Sequence, residues 1–203
     1  MKDTSIPARK TGRPRTFDED AALEKAMKVF WEKGYEGSSL PDLTEAMGMN
    51  RPSLYAVFGN KENLFRKAVE RYQASHEPLF TASLAEPTAL AVVAHLLRGT
   101  ADAQTESDAP HGCMVVNGAL ACGEEAQPIR HSLIERRAEK ELKLRDRFEQ
   151  AKRDGDLRSD ACAIQLARYV MTISNGMAVQ AVDGATRAQL HEVVDQVLRC
   201  WPS

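Results

Sequence analysis

The sequence is short of several things at once. Aromatic residues are only 6% of its 203 positions, and no apolar run approaches the roughly 18 residues that a membrane-spanning helix requires. The N-terminus is polar and basic with no apolar stretch behind it, so no signal peptide is expected. Strict apolar–polar alternation and clusters of β-branched residues are also scarce, which argues against strands and for an all-α fold. The four cysteines, Cys113, Cys122, Cys162 and Cys200, form no CxxC pair, and neither they nor the five scattered histidines have zinc-ligand spacing. This excludes a disulfide framework, argues against a metal site, and fits reduced thiols in a cytoplasm. There is no nucleophile elbow, phosphate loop, dinucleotide fingerprint or HExxH pattern. Neither an enzyme nor a cofactor is expected.

What is present is concentrated between Ser38 and Tyr72. Ser39 caps a helix from Leu40, with Asp42 three residues on completing a capping box, and Pro41 is tolerated in the first turn. Leu43 and Met47 share one face. Gly48 then ends the helix where a left-handed residue is needed. Asn50 caps the next helix, with Pro52 in its first turn and Leu54 and Phe58 on one face. Asn60 caps a third, longer helix carrying Leu64, Phe65, Ala68, Val69 and Tyr72 at helical spacing. Two short helices around a tight turn, followed by a third, have the layout of a helix-turn-helix. The major groove admits one α-helix, and the N-terminal residues of a recognition helix meet base edges. Here those residues are Arg51, Pro52 and Ser53. Tyr55 lies one turn on, within reach of a phosphate, and Lys61 opens the following helix as a second phosphate contact.

The net charge of −2 hides an asymmetry, because residues 1–72 sum to +2 and the remainder to −4. A mildly basic head on an acidic body would orient the molecule on DNA. Residues 1–16 hold five Lys/Arg and one Asp and few apolar residues, the composition of a flexible basic arm. Its Gly12-Arg13-Pro14-Arg15 core is similar to an AT-hook, in which Arg13 and Arg15 lie in a narrow minor groove. The alternative is a solubilising tail making nonspecific phosphate contacts.

The run Ala21-Ala22-Leu23 through Phe30, Gly34-Tyr35, Ser38-Ser39, Leu43, Gly48, Ser53-Leu54-Tyr55, Phe58, and Lys61 with Leu64 resembles the tetracycline-repressor (TetR/AcrR) family of bacterial transcriptional regulators. The likeness covers about the first third of the chain. It departs at Thr44, where the family usually has alanine and where the extra hydroxyl is expected to turn to a backbone carbonyl. It departs again at Pro52, where many members carry glycine. The resemblance implies double-stranded DNA as a partner, met by Arg13, Arg15, Ser39, Arg51, Pro52, Ser53, Tyr55 and Lys61. It also implies three parts: the arm 1–16, a DNA-binding domain 17–72, and a helical ligand-binding and dimerisation domain 73–203.

The body after Tyr72 reads as helical, with Pro78 and Pro87 marking the exit from the first unit. A helix is expected from about Thr88, a surface loop from Gln104 to Gly112, and a long charged helix from Pro128 to the Asp154-Gly155-Asp156 turn. The last two helices carry apolar stripes, Leu166 through Ala181 and Leu190 through Trp201. Read alone they are core helices of a monomer or an interface. The resemblance implies a homodimer through them, and two recognition helices must indeed reach half-sites about one DNA turn apart.

The resemblance further implies a small-molecule effector held in the body, for which Met114, Asn117, Tyr169, Ile173 and Met177 are the candidate ligand-binding residues. The function implied is a ligand-responsive cytoplasmic repressor on a palindromic operator. Two other readings stand beside it. One is a redox or electrophile sensor acting through Cys113, which would start a helix near His111 while Cys162 and Cys200 stay packed. The other is a ligand-independent architectural DNA-binding protein.

Overall fold

Cap residues set the helix boundaries in the computed structural model, which describes residues 18–202. The basic arm with Arg13 and Arg15 lies outside those residues. Asp18 accepts from the Ala21 amide and opens α1 (Glu19–Gly37). Ser39 and Asp42 form the reciprocal capping box of α2 (Leu40–Met47), which ends at Gly48 with φ 68°. Asn50 accepts from Ser53 N at the start of α3 (Arg51–Phe58), and Asn60 accepts from Asn63 N at the start of α4 (Lys61–Leu84). Thr88 caps α5 (Ala89–Gln104). After a loop come the single turn α6 (Met114–Asn117), a 3-10 turn at Glu124–Ala126, and α7 (Gln127–Arg153) with Pro128 in its first turn. The chain closes with α8 (Ala163–Val182) and α9 (Arg187–Arg199), the latter capped by a Thr186–Gln189 box. Among the described residues there is no strand, and no helix is long and apolar enough to cross a membrane.

The apolar stripes meet in two cores. In the first, α1 packs on α2 and α4, and Phe30 meets Phe65 edge to face with centroids 5.0 Å apart. Burying an aromatic or aliphatic side chain of this size stabilises by about 1.5–3 kcal/mol. This core is not confined to the first 72 residues, because Met114, Ile129 and Leu133 are buried in it beside Leu43, Leu54 and Phe58. The second core joins α5, α7, α8 and α9 around Val93, Leu97, Leu144, Phe148, Val170 and Val194.

α4 serves both cores. Leu64, Phe65 and Tyr72 belong to the first and Phe80 to the second. Pro78 therefore does not end the helix as the sequence suggests, but sits inside α4, six residues before its last residue, Leu84. It is exposed, so the carbonyl that loses its N–H donor has water to turn to, and the flanking stripe of Tyr72, His76 and Phe80 outweighs the local penalty.

Candidate nucleic-acid interface and ligand cavity

The turn between α2 and α3 is built for a fixed crossing. Gly48 N donates to Glu45 O and Met49 N to Thr44 O, which closes the end of α2. The Thr44 hydroxyl bonds Leu40 O at 2.9 Å, so it stays within its own helix. Lys33 of α1 reaches Asp42 Oδ1 at 2.8 Å and pins the two helices together. That ammonium, with help from the Ser39 hydroxyl and amide, holds the Asp42 carboxyl well below the usual carboxylate range. Leu54 and Phe58 anchor α3 from beneath. The opposite face of α3 then presents Arg51, Pro52 and Tyr55 to solvent.

Arg51 has no ion-pair partner among the described residues, and Tyr55 is 46% exposed for all its ring area. Ser53 is half-buried between them. Ser39 is exposed, but its hydroxyl is engaged with Asp42 at 2.5 Å, so its side chain serves the cap. Lys61 lies at the start of α4 with its ammonium 4.6 Å from the Tyr35 ring centroid, and partial burial pushes its pKa down, with Glu36 opposing.

The body contains a cavity of about 90 Å³ bounded by α4, α5, α7, α8 and the segment around α6. Its apolar wall includes Phe80, Leu96, Val116 and Met171, and its polar groups include Tyr72, His76, Gln104, Cys113, Arg136, Arg137 and Lys140. His76 stacks on Tyr72 with centroids 4.1 Å apart, and its Nδ1 is 2.8 Å from Tyr72 O. Burial pushes the His76 pKa down despite that bond, with Lys140 adding to the effect. Burial likewise raises the Tyr72 phenol well above its ordinary value, with the adjacent Cys113 adding to the effect. Gln104 is buried, and its Oε1 has no hydrogen-bond partner among the described residues.

The five ligand candidates from the sequence do not line this cavity. Met114 and Met177 are fully packed, one in each core, because each faces inward from its helix. Ile173 is packed against the second core, and Tyr169 is 41% exposed on α8. Asn117 lines a separate open groove with Trp31, Gly34 and His111. On α6 and α8 the lining residues are neighbours of the candidates, such as Val115, Val116 and Met171, and the rest of the wall comes from α4, α5 and α7. The signal was the spacing of Tyr72, His76 and Phe80, which extends the stripe of α4 past Pro78, and Arg136, Arg137 and Lys140 following Leu133 on α7.

Cys113 does line the cavity and is half-buried. The helix it precedes is a single turn, too short to supply the dipole the sequence suggested, and His111 is exposed elsewhere. Cys162 and Cys200 are exposed rather than packed, because each sits at a helix end. Among the described residues no group of three or more potential ligands converges on a metal position.

The segment that lines the cavity also grips α1. The Trp31 indole N–H donates to Gly112 O at 3.3 Å, Tyr35 N to Gly118 O at 2.8 Å, and Gly123 N to Glu36 Oε1 at 3.0 Å. Gly34, with φ 70°, lets the two backbones approach. A Cβ there would stand 3.2 Å from Gly118 O.

Residues 22–68 match the family model described as bacterial regulatory proteins, tetR family. The HTH-type transcriptional repressor ComR of Escherichia coli K12 is 37% identical over 98% of this chain and 96% of its own. A cysteine-substituted TetR family transcriptional regulator, CifR, solved with 26-bp double-strand operator DNA, is 44% identical with a TM-score of 0.89 over 94% of this chain and 100% of its own. A putative TetR transcriptional regulator from Rhodococcus sp. RHA1 is 38% identical with a TM-score of 0.62, covering 91% of this chain and 99% of that one.

Proposed function

Since the chain belongs to the tetR family of bacterial regulatory proteins, we propose that it is a cytoplasmic repressor that binds a palindromic operator as a homodimer and is released by a small molecule. The observation that carries this is the exposed α3 face of Arg51, Pro52 and Tyr55, held rigid from beneath by Leu54 and Phe58. Its support is the 44% identical relative solved on operator DNA. In this reading residues 17–72 form the DNA-binding part and 73–203 the effector and dimer part, although α4 and the first core run across that boundary. Ser53 and Lys61 add contacts at the groove edge, Ser39 lends its position at the start of α2, and Arg13 and Arg15 enter the minor groove.

Dimerisation through α8 and α9 is supported by Tyr169, Val179, Val182 and Val193, which expose 40–57% of their surface on those helices. Effector binding in the cavity would bear on Cys113, Val115 and Val116, and through Gly112, Gly118 and Gly123 on α1. A ligand that prefers one setting of this contact shifts the spacing of the paired recognition helices by its differential affinity. The test is selection of binding sites from random duplexes by the full chain. Enrichment of a palindrome supports the reading, and salt-dependent binding without sequence preference would leave only an architectural role.

A second reading is favoured by one observation: Cys113 lines the cavity beside the Tyr72 hydroxyl. An electrophile entering there would meet a thiol. Release of the wild type but not Cys113→Ser from DNA by an alkylating agent would establish that route, and equal release of both would end it.

A further inference from the structure

The cavity carries an uneven charge. Arg136, Arg137 and Lys140 line it, and among the described residues no Asp or Glu does. Carboxylates do lie on the outer surface nearby, but they are engaged: Glu70 faces Arg136 at 3.9 Å, and Glu77 and Glu139 pair with Lys143. Arg136 also donates to Gln73. Arg137 is half-buried and bonds only the backbone oxygen of Val115, at 2.6 Å, among the described residues. Lys140 has no carboxylate partner there either, and its ammonium stands 5.1 Å over the Phe80 ring. Two cations thus line a mostly apolar chamber with no carboxylate in ion-pair contact among the described residues. A partly desolvated cation without a counter-ion is costly, and an anion that supplies charge-assisted hydrogen bonds recovers that cost. Gln104 adds an independent sign of a missing guest: it is 5% exposed, lines the same cavity, and its Oε1 accepts from none of the described residues.

We propose that this cavity binds a small carboxylate monoanion. Its carboxylate meets Arg137 and Lys140, its short apolar body lies between Phe80, Leu96 and Met171, and a hydroxyl, where it has one, donates to Gln104 Oε1. The cavity of about 90 Å³ matches roughly three water volumes, so the enclosed part of the ligand is a few heavy atoms. This deepens the effector reading above and rests on it. A cationic or neutral apolar effector would leave Arg137 and Lys140 unanswered. Binding is reversible and leaves the Cys113 thiol unchanged.

The test uses the full chain with butyrate, hexanoate and 4-hydroxybutyrate, each against its primary amide, and butylamine as the cationic control. Thermal shift reads the cavity without DNA, and fluorescence anisotropy on a selected operator reads release. The acids are expected to raise the melting temperature and release DNA, with the amides weaker by about tenfold or more, the effect of losing one charge-assisted hydrogen bond. Lys140→Gln is expected to weaken the acids by a similar factor while leaving the melting temperature of the free protein nearly unchanged. Arg137→Lys keeps a charge and guards against misfolding of a harsher variant; it should be intermediate. Gln104→Leu should abolish the advantage of 4-hydroxybutyrate over butyrate. Amides equal to acids, preference for butylamine, indifference of Lys140→Gln, or no response to any acid would each overturn the proposal. Operator selection by the free protein is scored separately. If it succeeds while every acid fails, only the ligand class is wrong, and if it fails, the regulator reading falls whatever the thermal shifts show.

Discussion

Arg51 carries a guanidinium on an exposed first turn with no carboxylate to hold it among the described residues, which is the state a base-reading side chain needs before it meets DNA. Arg51→Ala is expected to cost about 1–3 kcal/mol of operator affinity and to relax preference at one base pair, read by competition among single-base operator variants. An equal loss on all sequences would make Arg51 a phosphate contact. Asp42 gives a pH test in the same region. Its folded-state pKa is depressed by Lys33 first and Ser39 second. A depressed carboxylate contributes stability above its unfolded pKa, and that contribution fades as pH falls through the folded value. The melting temperature of Asp42→Asn should therefore lie below wild type at pH 6–7, with the gap narrowing steadily on acidification below about pH 4. A gap independent of pH would mean the carboxylate charge plays no part. Lys33 shows the opposite sign: its raised pKa stabilises at neutral pH and loses that effect only at strongly alkaline pH.

At the scale of elements, two glycines and a proline divide the legible from the illegible. Ser39, Gly48, Asn50 and Asn60 act locally, each satisfying a helix end within four residues, and the structure uses all of them as the sequence suggests. Pro78 misleads because its rule is local, whereas the decision to continue α4 comes from Phe80 and Tyr72 packing in two different cores. The cavity was hidden for the same reason. It needs Gln104 of α5, Arg137 of α7 and Met171 of α8 to converge, and spacing along one chain does not contain that convergence. Gly34 is the other long-range case. Its backbone, at φ 70° and ψ 178°, is open to glycine almost alone. Gly34→Ala is expected to destabilise by about 1–3 kcal/mol in chemical denaturation, from backbone strain together with the pressure on Gly118 O. It should also lower the response of operator release to any effector, because the α1 contact is displaced. An unchanged effector response in a folded Gly34→Ala protein would remove that contact from the coupling.

For the whole molecule, the proposed dimer rests on the exposed apolar residues of α8 and α9. Val179→Asp with Val182→Asp places charge on a face that the isolated chain leaves to solvent. Sedimentation velocity is expected to show monomers, and the variant should keep its fold but lose most affinity for the full palindrome, since one head reaches one half-site. A folded variant that remains a dimer would move the interface off these helices. The continuity of α4 has a consequence of another kind. At about 1.5 Å per residue its 24 residues make a strut of about 36 Å with an end in each core. Because Met114, Ile129 and Leu133 complete the packing around Phe65 and Leu43, residues 18–72 share their interior with the body. Severed after Tyr72, they would lose part of their own interior. The two cores should melt in one transition, and slowing of amide hydrogen exchange by a guest in the body should extend to the deepest amides of α1, which no guest touches.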